Sequence, residues 1–157
     1  MKKINLLLVI VFAFASCNCQ KQAVAANASD KETSADQNQL PKMVYEASTR
    51  GFYRKIVMEN QVLIVTYDRS KTPRVDTLGV SYTDQDELIS TFQKVNLDKL
   101  TTYKDPTQKR FYDGAAIANL TITKNGKEYR TVDFDHGFPP IEIEKLVNKI
   151  VSFDKKE

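Results

Sequence analysis

Residues 116–126 read Ala-Ile-Ala-Asn-Leu-Thr-Ile-Thr-Lys-Asn-Gly, and this stretch decides the fold. Apolar residues occupy every second position up to Ile122, which is the period of a strand with one buried face. Asn125-Gly126 directly afterwards predicts a hairpin turn, because both residues tolerate positive φ angles. The stretch therefore predicts a half-buried antiparallel strand that returns through a tight turn.

The length of the hairpin loop decides which side chains of the returning strand are buried. A two-residue loop pairs Ile122 with Tyr129 and leaves Phe134 on the opposite face. A three-residue loop with a bulge pairs Thr123 with Lys127 and puts Phe134 on the buried face. Because a one-residue slip turns every side chain to the other face, we expect burial to select the three-residue loop.

Three extended segments precede this hairpin along the chain. Their β-branched and alternating apolar residues predict strands at Phe52–Met58, Val62–Tyr67 and Val75–Val80, with a turn at residues 59–61. Val44–Ala47 fits an additional strand at the edge of the sheet.

Two amphipathic helices complete the pattern. Thr83 is the expected N-cap of the first helix, with Asp86 as its partner, and Pro139-Pro140 the expected start of the second. The apolar stripes are Leu88, Ile89, Phe92 and Val95 in the first helix and Ile143, Leu146, Val147, Ile150 and Val151 in the second. The order strands, helix, hairpin, helix predicts an α+β fold, an antiparallel sheet of about five strands with both helices packed on one face.

The N-terminus predicts export. Lys2 and Lys3 precede an apolar run from Leu6 to Ala15, which has the length of a signal peptide and is too short to cross a bilayer. The run ends in Ala15-Ser16-Cys17, which resembles the lipobox of bacterial lipoproteins. That resemblance implies cleavage before Cys17 and acylation of its thiol, for example by palmitate. The alternative is cleavage after Ala15 at an A-x-A site, which would release a soluble protein.

These features divide the chain into three parts. Residues 1–16 are the predicted lipoprotein signal peptide, residues 17–42 a lipidated cysteine with a flexible tether, and residues 43–157 a single α+β domain. The tether is polar, with only Val24 and Leu40 as larger apolar residues, so it cannot bury a face. With Cys17 acylated, Cys19 is the one free thiol, which excludes a disulfide framework.

The charge balance argues against a nucleic-acid partner. Two of the 23 basic side chains, Lys2 and Lys3, leave with the predicted signal peptide, so the remaining 21 face 20 acidic ones. A nucleic-acid-binding protein needs a basic stripe, and the predicted mature chain has almost no excess of basic over acidic side chains.

Three short motifs carry a resemblance to a known group of proteins. They are Arg50-Gly-Phe-Tyr53, Tyr112-Asp-Gly-Ala115, and Phe134-Asp-His-Gly137 followed by Pro139-Pro140. Together with the order of elements, they resemble small Bacteroidetes-type lipoproteins of unknown function, over essentially all of residues 43–153. The resemblance implies a shared fold and an envelope location. It implies no activity, cofactor or catalytic residue.

The single histidine, His136, lies in the motif Asp133-Phe-Asp-His-Gly137. A zinc site usually needs three or four protein ligands rich in His or Cys, so we assign no metal ligand. We expect a structural role instead, in which Gly137 takes a special backbone angle, Asp135 or His136 binds turn amides, and Phe138 packs against the helix start. A pocket formed by Asp113 and Asp135 is the alternative, although Asp-Gly is more typical of a turn.

A recognition surface is predicted near the first strand. Arg50 and Tyr53 flank Gly51-Phe52 at its start, and Arg and Tyr are enriched at binding hot spots. The alternative is a purely structural role, with Gly51 in a turn and Phe52 in the core. The candidate binding residues are therefore Arg50, Tyr53, Asp113 and His136.

The chain contains no G-x-S-x-G, G-x-G-x-x-G or P-loop motif, so no catalytic residue and no cofactor is assigned. The first hypothesis is a non-catalytic binding module, attached to a bilayer through Cys17 at the periplasmic face of the outer membrane or at the cell surface. Its partner would be an envelope protein or a small ligand. The alternative is an envelope hydrolase or metal-dependent enzyme that uses Asp113, Asp135 and His136; a ligand-free structural component is a third hypothesis.

Overall fold

The computed structural model describes residues 39–155, which form a seven-stranded antiparallel sheet with two α-helices. The predicted signal peptide, Cys17 and the tether up to residue 38 lie outside the described residues. The strands are β1 (Lys42–Ser48), β2 (Tyr53–Glu59), β3 (Val62–Thr66), β4 (Val75–Gly79), β5 (Ile117–Lys124), β6 (Lys127–Arg130) and β7 (Phe134–Asp135). The helices are α1 (Tyr82–Phe92) and α2 (Glu144–Ser152), with short 3-10 helices at Leu97–Thr102, Lys109–Tyr112 and Phe153–Lys155. The predicted α+β class with an antiparallel sheet is confirmed, whereas about five strands was too few.

β1 lies in the middle of the sheet, so its predicted place at an edge was wrong. The strand order is β4-β3-β2-β1-β5-β6, with β7 also paired to β5. Met43, Tyr45 and Ala47 of β1 are completely buried. These three residues alternate with partly exposed ones, as expected for a strand that covers a core with one face.

The β5–β6 hairpin closes through two residues, so the predicted three-residue loop was wrong. Lys124 pairs with Lys127 and Ile122 with Tyr129. Asn125 and Gly126 have φ angles of 52° and 75°. Positive φ at both positions is the geometry of the tight hairpin turn that Asn-Gly favours.

Phe134 is nevertheless buried, because the register shifts after the turn. Thr121 pairs with Arg130, yet Ala118 pairs with Phe134, so three residues of the returning chain face two residues of β5. At this bulge the hydroxyl of Thr131 accepts a hydrogen bond from the amide of Leu120 at 3.0 Å. The bulge returns Phe134 to the core, where it has no exposed surface.

The turn glycine provides a first testable prediction. Gly126→Ala should lower the free energy of unfolding by about 1 kcal/mol, because an alanine side chain disfavours positive φ. Gly51→Ala is the matched control, since neither glycine has an atom within 4 Å of an added Cβ and only Gly126 has a positive φ. The control should leave the urea midpoint unchanged or slightly higher. Equal losses in both variants would contradict this account of the turn.

Both helices begin at residues other than those predicted. Ser81, not Thr83, is the N-cap of α1, and its hydroxyl accepts a hydrogen bond from the amide of Asp84 at 3.2 Å. α2 begins only at Glu144. Pro140 instead belongs to a preceding turn, because its carbonyl accepts a hydrogen bond from the amide of Ile143 at 3.0 Å.

One core joins the sheet and the helices. Leu88 of α1 and Leu146, Val147 and Ile150 of α2 are buried in the same cluster as the inner-face residues of β1, β2, β3 and β5. Lys149 of α2 connects the two helices through an ion pair with Asp84 at 2.8 Å. No helix in residues 39–155 has the length and apolar character needed to cross a bilayer.

The tether joins the sheet at one end, and the loops that hold the candidate residues lie at the other. At one end, which we call the tether end, β1 begins at Lys42, and Leu40 and Pro41 already pack against the domain, slightly before the predicted boundary at residue 43. At the other end, which we call the loop end, Ser48 of β1 lies between Tyr53 of β2 and Ile117 of β5. A strand of this length separates the two ends by about 20 Å.

Candidate functional site

The four candidate binding residues all lie at the loop end, but they do not form one pocket. Arg50 lies in the exposed turn between β1 and β2. Tyr53 begins β2 on the outer face of the sheet, opposite Ser48. Asp113 lies in the loop before β5, and His136 follows β7. The structure therefore brings their loops to one end of the domain and directs the residues to different surfaces.

His136 lies on the core side of the loop end. A hydrogen bond of 2.6 Å joins its Nδ1 atom to the hydroxyl of Tyr45. Its ring centroid is 5.3 Å from that of Phe52, and its amide donates to the carbonyl of Ala116. Burial raises the pKa of Tyr45, so this hydroxyl stays protonated. His136 is thus half-buried and bonded to a core residue that the sequence analysis did not identify.

Asp135 is the most constrained carboxylate among the described residues. Its side chain has no exposed surface. Oδ2 accepts hydrogen bonds from the Thr107 hydroxyl at 2.5 Å and the Lys109 amide at 2.6 Å. Oδ1 accepts from the amide and the guanidinium of Arg110 at 3.1 and 3.0 Å. Asp105 also forms an ion pair with Arg110, and we call this group of contacts the Asp135 clamp.

The clamp keeps Asp135 ionised. Burial alone would raise the pKa of its carboxyl group, but the hydrogen bonds from Thr107, from Arg110 and from the Lys109 amide lower it to about 2. Each oxygen already accepts two hydrogen bonds, so neither is placed to exchange a proton with a substrate. The amides that Asp135 binds belong to a loop more than twenty residues earlier in the chain, and not to its own turn.

Asp113 has a different environment. It is exposed, has a φ angle of 59°, and ends the short helix Lys109–Tyr112. No hydrogen bond among the described residues joins its carboxylate to Asp135 or His136. Asp113, Asp135 and His136 therefore occupy three separate settings: a helix end, a buried clamp and a contact with Tyr45.

Tyr53 belongs to a polar group on the outer face. The guanidinium of Arg69 lies 4.3 Å from the centre of its ring. Arg69 also donates hydrogen bonds to Glu46 at 2.9 Å and to Ser48 at 3.3 Å. The Arg69 guanidinium therefore holds the exposed face of Tyr53 in place, while Arg50 of the neighbouring turn makes no ion pair within residues 39–155.

Three aromatic residues at the loop end are exposed, which the sequence did not predict. Phe111 and Tyr112 are 71% and 72% exposed, and Phe138 is 40% exposed. Phe138, which was predicted to pack against the helix start, has the Lys109 ammonium 3.7 Å from its ring centre. Exposure of these rings depends on how the two loops are held, which no local pattern reveals.

An open groove of about 730 Å³ lies between the segment around Tyr103 and that around Ile141. Its lining includes Lys99, Tyr103, Lys104, Pro106 and Ile141. Ile141 is 75% exposed, so the groove offers apolar surface next to two lysines.

Neither a metal site nor a relative helps to define the chemistry. Within residues 39–155, no three His, Cys, Asp or Glu side chains are grouped so that they could hold a metal ion. No protein-family model, curated protein or solved structure matches the chain.

Proposed function

We propose that the chain is a cell-envelope lipoprotein whose domain is a non-catalytic binding module. The sequence Ala15-Ser16-Cys17 after a basic start and an apolar run supports attachment through acylated Cys17. Two or three acyl chains make such an attachment stable, whereas one chain is marginal. The proposed location is the outer membrane, with the domain on the periplasmic face or at the cell surface.

The binding function is supported chiefly by the position of the candidate residues, which lie at the end of the domain opposite the tether. The tether enters at one end of β1, and the candidate residues lie at the other end, in loops and at the start of β2. The Asp135 clamp, a buried charged network, fixes the loop before β5 against the turn after β7. A rigid loop surface away from the attachment point is suited to contact a partner, either an envelope protein, a small ligand or a lipid surface.

The catalytic alternative has less support. A hydrolase based on Asp113, Asp135 and His136 needs a carboxylate or imidazole within hydrogen-bond reach of a reacting group. Asp135 has both oxygens engaged, and His136 binds Tyr45. The geometry therefore favours a binding function for the same loops.

The attachment is tested by the mass of the mature N-terminus. The wild-type protein should fractionate with membranes and begin at an acylated Cys17, because small residues precede the thiol. Cys17→Ser should lose the added hydrocarbon mass and the membrane association.

Cys19→Ser is the matched control, since it removes a thiol two residues away and should leave the lipid in place. A wild-type chain that begins at Ser16 without hydrocarbon would contradict the proposal and indicate cleavage at the A-x-A site.

A further inference from the structure

An apolar surface projects from the loop end. We call Phe111, Tyr112, Phe138 and Ile141 the aromatic cluster, and all four are at least 40% exposed. They lie on two neighbouring segments, residues 103–114 and 136–142: Lys109 lies over the ring of Phe138, and Pro106 lines one groove with Ile141. Several exposed apolar side chains close together mark an interaction site more often than a single exposed apolar residue does.

The cluster is held in place and does not owe its exposure to loose loops. The Lys109 ammonium covers the ring of Phe138, and the Arg110 guanidinium lies 4.4 Å from the centre of the Phe111 ring. A Cβ atom at Gly114 would come within 3.0 Å of the Tyr112 ring, so this glycine makes room for it. Lys109 and Arg110, whose side chains contact these rings, also donate their backbone amides to Asp135.

We propose that the aromatic cluster inserts into the headgroup region of a lipid bilayer. This inference rests on the proposed function, because the lipid-attached chain would keep a bilayer within reach. Aromatic rings with lysines beside them suit the boundary between headgroups and acyl chains, where the ring is buried and the ammonium stays hydrated.

The lysines favour lipid over a protein partner. Lys104 and Lys109 both lie in the first of these segments, and neither forms an ion pair within residues 39–155. Lysine is depleted from the buried part of protein interfaces, whereas at a bilayer its long stem lies on apolar surface and its charge meets phosphate.

The tether is long enough for this contact. Residues 18–38 connect Cys17 to the described domain. As a coil they span about 25 Å, and fully extended about 70 Å, compared with about 20 Å along β1. The loop end can therefore turn towards the membrane although the tether enters at the opposite end. Even a weak affinity of the cluster for lipid is sufficient for insertion, because the lipid attachment turns insertion into an intramolecular event.

The test uses tryptophan as a depth reporter, since the chain contains none. Phe111→Trp and Ile141→Trp variants of the mature protein are reconstituted into phosphatidylcholine vesicles, with and without phosphatidylglycerol, that carry brominated acyl chains. Tyr82→Trp is the matched control, because Tyr82 is 80% exposed and starts α1 next to the tether end. Flotation of the vesicles confirms attachment separately in each sample.

Both loop-end reporters should show blue-shifted emission and at least about twofold stronger quenching than the control, as expected for rings at the acyl boundary. Attached protein with unquenched loop-end reporters would overturn the inference, leave the attachment intact and indicate a protein partner or a second copy. Equal quenching at all three positions would also overturn it, because the contact would then not be specific to the loop end. Loss of flotation with retained quenching on added vesicles would contradict the acyl attachment alone.

Discussion

Asp135→Asn should lower the free energy of unfolding by about 3 kcal/mol. The substitution keeps the shape of the side chain but removes a buried charge that faces Arg110. In either orientation its amide nitrogen also faces another donor, either the Lys109 amide or the amide and guanidinium of Arg110. Removing one partner of a buried, hydrogen-bonded ion pair typically costs about 3–5 kcal/mol, and Asp105 here retains part of the pairing with Arg110.

Asp133→Asn is the control for this prediction. It makes the same chemical change two residues earlier, where the carboxylate forms a surface ion pair with Arg130 at 2.7 Å. Exposed pairs contribute about 0–1 kcal/mol, so urea denaturation should give nearly wild-type stability. Equal losses in both variants would contradict the structural role of the Asp135 clamp.

The Asp135 clamp should also be visible as a pH dependence. The folded-state pKa of Asp135, about 2, lies below the ordinary value of 3.8. Its contribution to stability is therefore complete above about pH 5 and is lost progressively as the pH falls through 3.8 and then through the folded-state pKa. The difference in stability between wild type and Asp135→Asn should shrink over this interval, and a constant difference would speak against an ionised Asp135.

Phe134→Ala should be the most damaging single truncation at the loop end, with a loss of about 3–5 kcal/mol. The ring of Phe134 is completely buried, 6.4 Å from that of Tyr45. Phe138→Ala removes the same atoms four residues later, where the ring is 40% exposed, and should cost less than about 1 kcal/mol. Thermal and urea unfolding compare the two variants directly. A greater loss from Phe138→Ala would show that the bulge does not place Phe134 in the core.

The hairpin shows what local pattern can and cannot predict. Alternation in residues 116–122 and the Asn125-Gly126 turn located β5 and the turn correctly. The reasoning that Phe134 must be buried was also correct, but it assumed one continuous register from the turn to Phe134. The structure keeps the preferred tight turn and changes register at residues 131–133, where Thr131 satisfies the backbone of Leu120. Bulges depend on such contacts across strands and leave little trace in the sequence.

The place of β1 could not be predicted for a related reason. Its alternation is visible in Met43, Tyr45 and Ala47, yet strand order depends on which partner it meets. β2 is the next strand along the chain, whereas β5 is about seventy residues away. Pairing over such a distance is decided by the whole core and by no local propensity.

The candidate site was predicted only in part. The sequence indicated the motif around His136, and it correctly placed a special backbone angle at Gly137, whose φ is 84°. It did not indicate that Asp135 would bind the loop at Thr107–Arg110, because that loop is separated from it by the whole of β5 and β6. Nor did it distinguish the buried Phe134 from the exposed Phe138.

The central position of β1 has a consequence for the proposed export of the chain. A polypeptide that crosses a membrane from its N-terminus delivers β1 first, but one side of this strand stays unpaired until residues 117–123 have followed. Threading through a translocation channel requires an unfolded chain, and here the strand order itself delays closure of the core until most of the polypeptide has emerged. For the export proposed above, the strand order thus means that the core closes late.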